Sequence, residues 1–323
     1  MAEGLAFSVV VCTYTGKRWD ELVAAVSSLR RQTLPPEEII VVIDHNPELL
    51  ARVGSELPDV TGVEKPGRRG LSDARNSGLA VARGDVVAFL DDDAVAEPQW
   101  LALLAERYAD GGVVGVGGFA RPVWAEGRPA WFPAEFDWVV GCTYRGMPDT
   151  ASPVRNLIGC NMSFRREVFE QVGGFTAEIG RLGTLPVGCE ETELCIRIAQ
   201  RRPGSVILFD PRAVVHHNVP GSRGKWSYFR SRCYAEGLSK AAVSGLVGAG
   251  EALSSERRYT TRTLPRGVVA GIAAGVRGDR GGFGRAGAIV AGVGITAVGY
   301  GLGRVAPRRF AAAGPPAGVV PAS

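Results

Sequence analysis

Lysine and histidine are scarce in this chain of 323 residues, which has four lysines and three histidines. Its six cysteines include no Cys-x-x-Cys pair, which argues against a zinc ribbon or a thioredoxin-type redox site. No G-x-G-x-x-G follows the first apolar run, so a Rossmann dehydrogenase is a weak interpretation. The sequence also lacks an aromatic-rich RNA motif, a helix-turn-helix pattern and zinc-ligand spacing, and we expect no nucleic-acid partner.

What the chain does have is an ordinary globular composition, with 46% hydrophobic and 22% charged residues and a formal net charge of +4. A chain of this length and composition can bury a sizeable core. Its first residues lack the charged start and apolar run of a signal peptide. We therefore expect a reducing, cytosolic setting, in which the cysteines are free thiols.

Three short apolar runs in the first third of the chain predict buried strands, at Phe7–Cys12, Ile39–Ile43 and Val86–Leu90. Helical patterns lie between them, at Glu21–Gln32 and Leu71–Ala82. Strands that alternate with helices and are apolar along their whole length indicate a parallel sheet covered on both faces.

Polar residues follow each of these three strands: Thr13 with Tyr14, then Asp44, then Asp91–Asp93. In such sheets ligands bind beyond the carboxyl ends of the strands. Three consecutive acids repel one another unless a cation lies among them, and carboxylates with phosphate oxygens suit Mg²⁺ or Mn²⁺. The alternative for this triplet is a solvated acidic turn ahead of Pro98.

Beyond residue 100 the pattern is looser, and residues 118–155 are rich in glycine, proline and tryptophan, as expected of long loops over a site. Helices are predicted at Asn161–Val172, Glu191–Gln200 and Ser227–Ser244. Late strands are predicted at Val206–Phe209 and Ala213–Val215.

The C-terminal part, from residue 264, is rich in glycine, alanine, valine and arginine and has one acid, Asp279. Its uncharged stretch Ala286–Gly303 approaches the ~17–25 residues that cross a bilayer, whereas Gly267–Val276 is too short. Each contains a G-x-x-x-G pair, which lets helices approach closely in lipid. We expect a helical, membrane-associated segment at 246–310 and a disordered tail at 311–323; the alternative is a flexible tail that touches nothing.

Six motifs, taken in order, resemble the motif set of family 2 glycosyltransferases over about residues 7–240. They are FSVVVCTYTG (7–16), IIVVIDHN (39–46), GLSDARNSGLAVARGDVVAFLDDDA (70–94), GCNMSFRR (159–166), GGF (173–175) and GCEETELCIR (188–197). The stretch from Pro129 through Trp138 to Val154 is most like enzymes that act on polyprenyl- or dolichyl-phosphate-linked sugars, including glucosyl- and glucuronosyltransferases.

This resemblance implies an α/β GT-A domain over residues 1–245, Rossmann-like, with a mostly parallel sheet covered by helices. It also implies an inverting transfer from a nucleotide-diphosphate sugar, which we expect to be UDP-linked, to an acceptor hydroxyl. A lipid-linked or glycan acceptor would place the enzyme at the cytoplasmic face of a membrane.

The resemblance assigns the donor to the residues at the strand ends. Thr13 and Tyr14 would frame the base, and Asp44 would accept the N3–H of uracil. Arg75 would reach the base or the diphosphate. Asp91 would contact the ribose or support the metal, with Asp92 beside it at the nucleotide sugar.

Asp93 matches the last acid of the family's D-x-D motif and is the expected principal ligand of Mg²⁺ or Mn²⁺. His217 is the expected second ligand, chosen over His216 because adjacent residues in a strand face opposite sides. The alternative for His217 is a packed histidine at a strand end. A cation here would neutralise charge that grows on the leaving diphosphate.

An inverting transfer also needs a base on the face opposite the leaving group. In the family this is the second acid of a Glu-Asp pair at a helix start, and here the pair is Glu190-Glu191. We expect Glu191 to be the base and Glu190 to support it, while Asn161 lies on the acceptor floor. Because a glutamate replaces the usual aspartate, a non-catalytic nucleotide-sugar-binding protein is one alternative. A processive polysaccharide synthase is another, although Q-x-x-R-W is lacking.

Overall fold

The fold is built around one mixed sheet, in a computed structural model that describes residues 4–65, 68–177, 188–247 and 259–305. Within these ranges the strands are β1 Phe7–Thr13, β2 Glu38–Asp44, β3 Thr61–Lys65, β4 Val86–Asp91, β5 Ala94–Ala96, β6 Val113–Trp124, β7 Ser152–Pro153, β8 Asn161–Arg165 and β9 Val206–Val219. The helices are α1 Trp19–Arg30, α2 Pro47–Glu56, α3 Leu71–Val81, α4 Trp100–Arg107, α5 Arg166–Val172, α6 Glu190–Arg201, α7 Trp226–Val247, α8 Leu264–Val276 and α9 Arg280–Val305.

The strand order is β3-β2-β1-β4-β8-β6-β9-β5, and β7 pairs with β9 outside this path. The first four strands are parallel, as the continuous apolar runs of β1, β2 and β4 predicted, whereas β3 was not predicted. β8 then runs antiparallel to both β4 and β6. The start of β8 therefore lies beside the end of β4, at the edge where the polar residues were expected.

The structure differs from the predicted elements at two places in the second half of the chain. Asn161–Val172, expected as one helix, is strand β8 followed by helix α5. Met162 and Phe164 pack in one core while Ser163 between them binds across the sheet, which is the period of two of a strand. The two late strands are one, β9, whose pairing with β6 continues past an irregularity.

Two cores cover the faces of the sheet. Val9 and Val11 of β1 pack into the first, with α1, α2 and α4, while Val10 points into the second, with α3, α5 and α6. Both sets of side chains are buried, which explains why β1 shows no alternation of polar and apolar residues in sequence.

A third core is aromatic and joins the middle of the chain to its C-terminal helices. Phe132 and Phe136 pack there with Phe229 of α7, and Leu264 of α8 and Ile289 of α9 complete the cluster. The expected boundary near residue 245 therefore does not separate two cores, because α8 and α9 help to bury the aromatic residues of the 1–245 part. Residues 248–258 and 306–323, including the predicted disordered tail, lie outside the described ranges.

The glycines of the two G-x-x-x-G pairs bring helices together within this protein. A Cβ on Gly299 of α9 would lie 2.3 Å from the carbonyl oxygen of Tyr234 in α7, and one on Gly303 would lie 2.7 Å from the side chain of Ala241. On α8, a Cβ at Gly271 would lie 2.8 Å from the Gly282 carbonyl oxygen. The spacing expected for packing in lipid thus serves contacts among α7, α8 and α9.

Candidate active site

Strand register brings three chain segments together at the carboxyl edge of the sheet. Leu90 pairs with Asn161, so Asp91 at the end of β4 lies beside Cys160 just before β8. Ala94 pairs with His217 of β9, which places that histidine beside Asp93. Since the parallel strands β1 and β2 end at the same edge, Thr13 and Asp44 both lie at this edge. The structure thus gathers most of the predicted site residues at one edge.

Asp93 is buried and surrounded by positive charge. Its Oδ2 accepts from Arg18 Nη1 at 3.1 Å and from Arg223 Nη2 at 3.4 Å, and its Oδ1 lies 3.2 Å from His217 Nε2. Burial opposes ionisation, but the His217 hydrogen bond and the two arginines hold the pKa of Asp93 well below its usual value. The carboxylate is therefore ionised, as a cation ligand must be.

Asp92 is also buried and pairs with Arg18, whose Nη1 lies 2.8 Å from Asp92 Oδ1. Burial raises the pKa of Asp92 to about 7, against the lowering effect of the arginine. Asp92 therefore lies away from solvent and pairs with Arg18. Asp91, in contrast, keeps 34% of its side chain exposed. Asp91 is the most exposed acid of this triplet.

The two adjacent histidines face opposite sides of β9, as the strand geometry predicts. His216 Nε2 lies 3.1 Å from Glu97 Oε1 on the outer side, while His217 is buried against Asp93 and against Cys142, whose Sγ lies 3.6 Å from Nδ1. Burial lowers the pKa of His217, but the bonds to Asp93 and Cys142 outweigh it and raise that pKa to about 10.

Arg75 links the donor side of this edge to the start of α6. It is 2% exposed and donates from Nη1 to Glu190 Oε1 at 2.7 Å and from Nη2 to the Gly159 carbonyl at 3.0 Å. Asp91 Oδ1 lies 3.6 Å from the same Nη2. The buried guanidinium therefore fixes Glu190, and it stands between the acids of β4 and those of α6.

Glu191, the next residue, is half-buried and keeps its carboxylate available. It accepts a hydrogen bond from Thr192 Oγ1 at 3.2 Å, and among the described residues no arginine or lysine forms a salt bridge with it. Burial, followed by the negative charge of Glu190, raises the pKa of Glu191 to about 8. Such a carboxylate has a pKa suited to taking a proton near neutral pH.

Asp44 sits at the end of β2 in a polar cradle. Its carboxylate accepts from the Gly70 amide at 3.1 Å and from the buried Lys65 Nζ at 3.4 Å, and it contacts His45. Tyr14 nearby is 61% exposed, and the Arg18 guanidinium lies 5.0 Å from its ring centroid. An exposed ring after β1 and a fixed acid at the end of the adjacent β2 suit a planar base.

The structure gives Asn161 a packing role instead of the predicted contact with an acceptor. Its side chain is fully buried, accepts from Trp100 Nε1 at 2.8 Å and donates to the carbonyl oxygens of Phe119 and Ala213 at 3.3 and 3.0 Å. These bonds use the amide's acceptor and both its donors inside the protein. The aromatic residues 131, 132 and 138, considered for stacking on sugar or prenyl, belong to the third core.

Three buried oxygens at this edge have no hydrogen-bond partner within the described part of the chain: Thr13 Oγ1, Asp92 Oδ2 and Glu190 Oε2. A buried polar atom without a partner costs about 1–3 kcal/mol, so a native protein rarely keeps one without a reason. Their clustering around the acid triplet fits a site that receives a polar ligand and a cation.

Sequence analysis did not single out Arg18 or Cys160. Arg18 lies in the turn after β1, and its position four residues beyond Tyr14 could have marked it as a counter-charge for acids at the next strand end. The Cys160 thiol lies with the carboxylate of Asp91 and the ring of His217, the ligand atoms all within 4.8 Å of one another. Only the antiparallel register of β8 reveals this group.

The chain matches the model of glycosyl transferase family 2 over residues 8–173. It is 38% identical over 240 residues to a glucosyl-dolichyl phosphate glucuronosyltransferase of Haloferax volcanii, covering 73% of this chain and 76% of that protein. It is 29% identical over 245 residues to the succinoglycan biosynthesis protein ExoM of Rhizobium meliloti, covering 73% and 74%.

Solved structures share the fold at lower identity. The mannosyltransferase PcManGT from Pyrobaculum calidifontis, in complex with GDP-Man and Mn²⁺, aligns with a TM-score of 0.56 at 19% identity, covering 90% of this chain and 87% of that one. GalNAc-T7 with UDP, GalNAc and Mn²⁺ aligns with a TM-score of 0.52 at 18% identity, covering 80% of this chain but 56% of that one. At these identities the likeness establishes the GT-A fold.

Proposed function

The chain belongs to glycosyl transferase family 2, and we propose that it is an inverting, cation-dependent enzyme that moves a sugar from a UDP-sugar to a lipid-linked acceptor. The observation that carries the mechanism is the contrast within the pair at the start of α6. Glu190 is held by Arg75 at 2.7 Å, whereas Glu191 forms no salt bridge with the described residues and its pKa is raised to about 8. One acid is fixed as support, and the other is available as a base.

The donor end of the site is the edge formed by β1, β2 and β4. Asp44 would accept the N3–H of uracil while Lys65 and the Gly70 amide hold its carboxylate in place. Tyr14 and Thr13 would frame the base, and Asp91 would meet the ribose. Both solved neighbours carry a sugar-nucleotide component, UDP in one and GDP-Man in the other. The role of Asp44 is our reason for preferring uracil.

Mn²⁺ or Mg²⁺ would be held by Asp93 and by His217 in its neutral form, and Asp91 stands beside them. The ionised Asp93 and the unpartnered oxygen of Asp92 fit a cation, and both solved neighbours contain Mn²⁺. When bound, the cation supplies Lewis-acid stabilisation of charge on the leaving diphosphate. Arg18 and Arg223 already lie at this point, and they add positive charge that also favours a diphosphate.

Glu191 would take the proton of the acceptor hydroxyl as that oxygen attacks the anomeric carbon from the face opposite the diphosphate. Glu190 would not compete for this proton, because its Oε1 is bound to Arg75. Arg75 in turn connects the base with the donor side through Asp91. The residues of α3, α6 and β4 would thus hold donor and acceptor in one orientation.

The lipid-linked acceptor is supported by the relative named a glucosyl-dolichyl phosphate glucuronosyltransferase. The C-terminal helices offer a matching surface. α9 is long and apolar enough to cross a bilayer, with a mean hydropathy of 1.6 over its most apolar window. However, its packing on α7 favours a helix that lies on the membrane with the rest of the protein.

That surface combines exposed apolar side chains with arginines. The exposed apolar residues of the two helices are Val269, Ile272, Val276, Phe283, Val290, Val293, Val298, Leu302 and Val305. The exposed arginines in the same region are Arg262, Arg266, Arg277, Arg280 and Arg304. A peripheral membrane protein typically inserts apolar groups into the membrane–water interface and places arginines against anionic headgroups. We propose that this surface holds the enzyme at the cytoplasmic face.

A donor screen tests the proposed reaction. Full-length protein is incubated with a panel of UDP-, GDP- and dTDP-sugars, Mn²⁺ and a prenyl-phosphate-linked sugar, and nucleotide release and product stereochemistry are measured. We expect acceptor-dependent release of UDP with inversion at the anomeric carbon. Tight UDP binding without turnover on any acceptor would instead support a nucleotide-sugar-binding protein.

A further inference from the structure

The Cys160 sulfur lies in the candidate cation site, where the end of β4, the start of β8 and the end of β9 meet. Asp91, Cys160 and His217 come from these three elements, and their ligand atoms lie within 4.8 Å of one another. Two ligands of one cation can be separated by up to roughly twice a metal–ligand bond, about 4.0–4.6 Å. Small side-chain adjustments would therefore let all three atoms reach one ion.

The position of Cys160 is fixed by the backbone around it. Asn161, the next residue, is locked by three side-chain hydrogen bonds, and the Cys160 thiol donates to the Gly141 carbonyl at 3.4 Å. Gly141 has a φ of 82°, and a Cβ there would lie 3.5 Å from the His217 ring. The sulfur, the glycine and the histidine ring are thus packed together at one place.

A second observation, at the next residue of the acid triplet, points to a ligand. Asp92, which is 3% exposed and follows Asp91 directly, keeps an oxygen with no hydrogen-bond partner among the described residues. A buried carboxylate oxygen without a donor is stabilised when a cation lies beside it. The acid triplet therefore favours a positive ion at this edge independently of the cysteine.

We propose that the Cys160 sulfur is a ligand of the cation in this site, beside Asp91 and His217, and that it shifts the preference of the enzyme toward thiophilic ions. The inference rests on the proposed cation-dependent function and adds a ligand to it. On coordination the sulfur binds as a thiolate and His217 as a neutral imidazole, and both protons pass to solvent. Thiolate ligands favour Zn²⁺, Cd²⁺ and Co²⁺ over Mg²⁺, which prefers oxygen.

Co²⁺ provides a readout that does not depend on turnover. Full-length protein with UDP is titrated with Co²⁺, and the sulfur-to-cobalt charge-transfer absorption in the near ultraviolet is recorded together with binding. The variants are Cys160→Ser, Cys160→Ala and, as a matched control, Cys142→Ser. Cys142 contacts the other ring nitrogen of His217 but lies outside the group of three ligands.

We expect the charge-transfer band in the native protein and in Cys142→Ser, and its loss in both Cys160 variants. Competition between Cd²⁺ and Mg²⁺ should shift toward Mg²⁺ by at least about tenfold in Cys160→Ser. Thermal unfolding of each variant verifies that it is folded.

The outcomes separate this inference from the proposed function. Co²⁺ that binds without a charge-transfer band, or a band that survives in Cys160→Ser, overturns the sulfur ligand and leaves the cation-dependent transfer standing. Native protein that binds none of Co²⁺, Cd²⁺ and Mg²⁺ with UDP, yet transfers sugar in the presence of a chelator, contradicts the dependence on a cation.

Discussion

At the scale of single residues, the acids of the site differ in whether an arginine pairs with them. Asp92, Asp93 and Glu190 pair with buried or half-buried arginines, whereas Asp91 is partly exposed and Glu191 lacks such a partner within the described ranges. The sequence could identify the acids, because they follow apolar strands or open a helix. It could not assign the pairs, since Arg18 and Arg75 reach their partners only after the sheet has formed.

The first prediction concerns the base. Glu191→Gln should keep UDP-sugar binding but lower the transfer rate by roughly 10²–10⁴, the usual scale for removing a general base. Binding is measured by calorimetry and transfer by product formation. Glu190→Gln is the matched comparison. It should weaken the contact with Arg75 but lower the transfer rate less than Glu191→Gln does. A large loss of rate in Glu190→Gln, with Glu191→Gln near normal, would reverse the two roles.

The pH dependence follows from the raised pKa of Glu191. A base works only when ionised, and burial places this pKa at about 8, so kcat/KM should rise with pH and level off above about 8. Below that pH the protonated fraction grows and the rate should fall tenfold per pH unit. The profile is measured with native protein and Glu191→Gln. If the variant retains the same rising limb, the titration belongs to another group.

Asp93→Asn tests the proposed cation ligand, because it removes the negative charge of the side chain and nearly keeps its shape. Loss of the negative charge should reduce Mn²⁺-dependent UDP binding and transfer by roughly 10²–10³, the scale of removing one charge-stabilising group from an active site. Asp149→Asn, at an exposed position in a loop, is the matched control and should have no effect. Unchanged Mn²⁺ dependence in Asp93→Asn would remove this residue from the mechanism.

At the scale of elements, continuous apolar runs were enough to predict β1, β2 and β4, because strands buried on both faces need no alternation. The same reasoning failed at 161–172, where a five-residue strand and a seven-residue helix follow each other without a breaker. Tertiary pairing with β4 and β6 decides that β8 is a strand. Periodicity over so few residues does not distinguish the two.

Gly299 and Gly301 of α9 test how the C-terminal helices are held. Gly299→Ala would place a Cβ 2.3 Å from the Tyr234 carbonyl oxygen, and we expect about 1–3 kcal/mol of destabilisation as α7 and α9 move apart. Gly301→Ala meets no atom within 4 Å and should stabilise the helix by about 0.5–1 kcal/mol. The free energy of unfolding is measured for both. Equal effects would contradict close packing of α9 on α7.

At the scale of the whole molecule, the C-terminal helices are part of the fold as well as a surface for a partner. Sequence analysis recognised their composition but favoured a separate membrane-associated helical segment, because small residues and G-x-x-x-G pairs are also common in lipid. In this structure the C-terminal helices pack on the protein itself, since Leu264 and Ile289 join Phe132 and Phe229 in the aromatic core. Deletion of residues 264–323 would therefore expose that core.

Substitutions on the exposed face therefore test membrane binding better than truncation does. Val269, Ile272 and Val276 share one face of α8 and are 67%, 46% and 75% exposed, so replacing all three by serine removes apolar surface without opening the core. We expect native protein to float with vesicles that contain anionic lipid, less so at high salt, and the triple variant to lose most of this binding. Replacing Val81 and Val123, exposed apolar residues outside the C-terminal helices, by serine is the control and should leave flotation intact. Native protein that stays with the soluble fraction at low salt would refute the membrane placement, and equal loss in both variants would show that the α8 face has no special part in it.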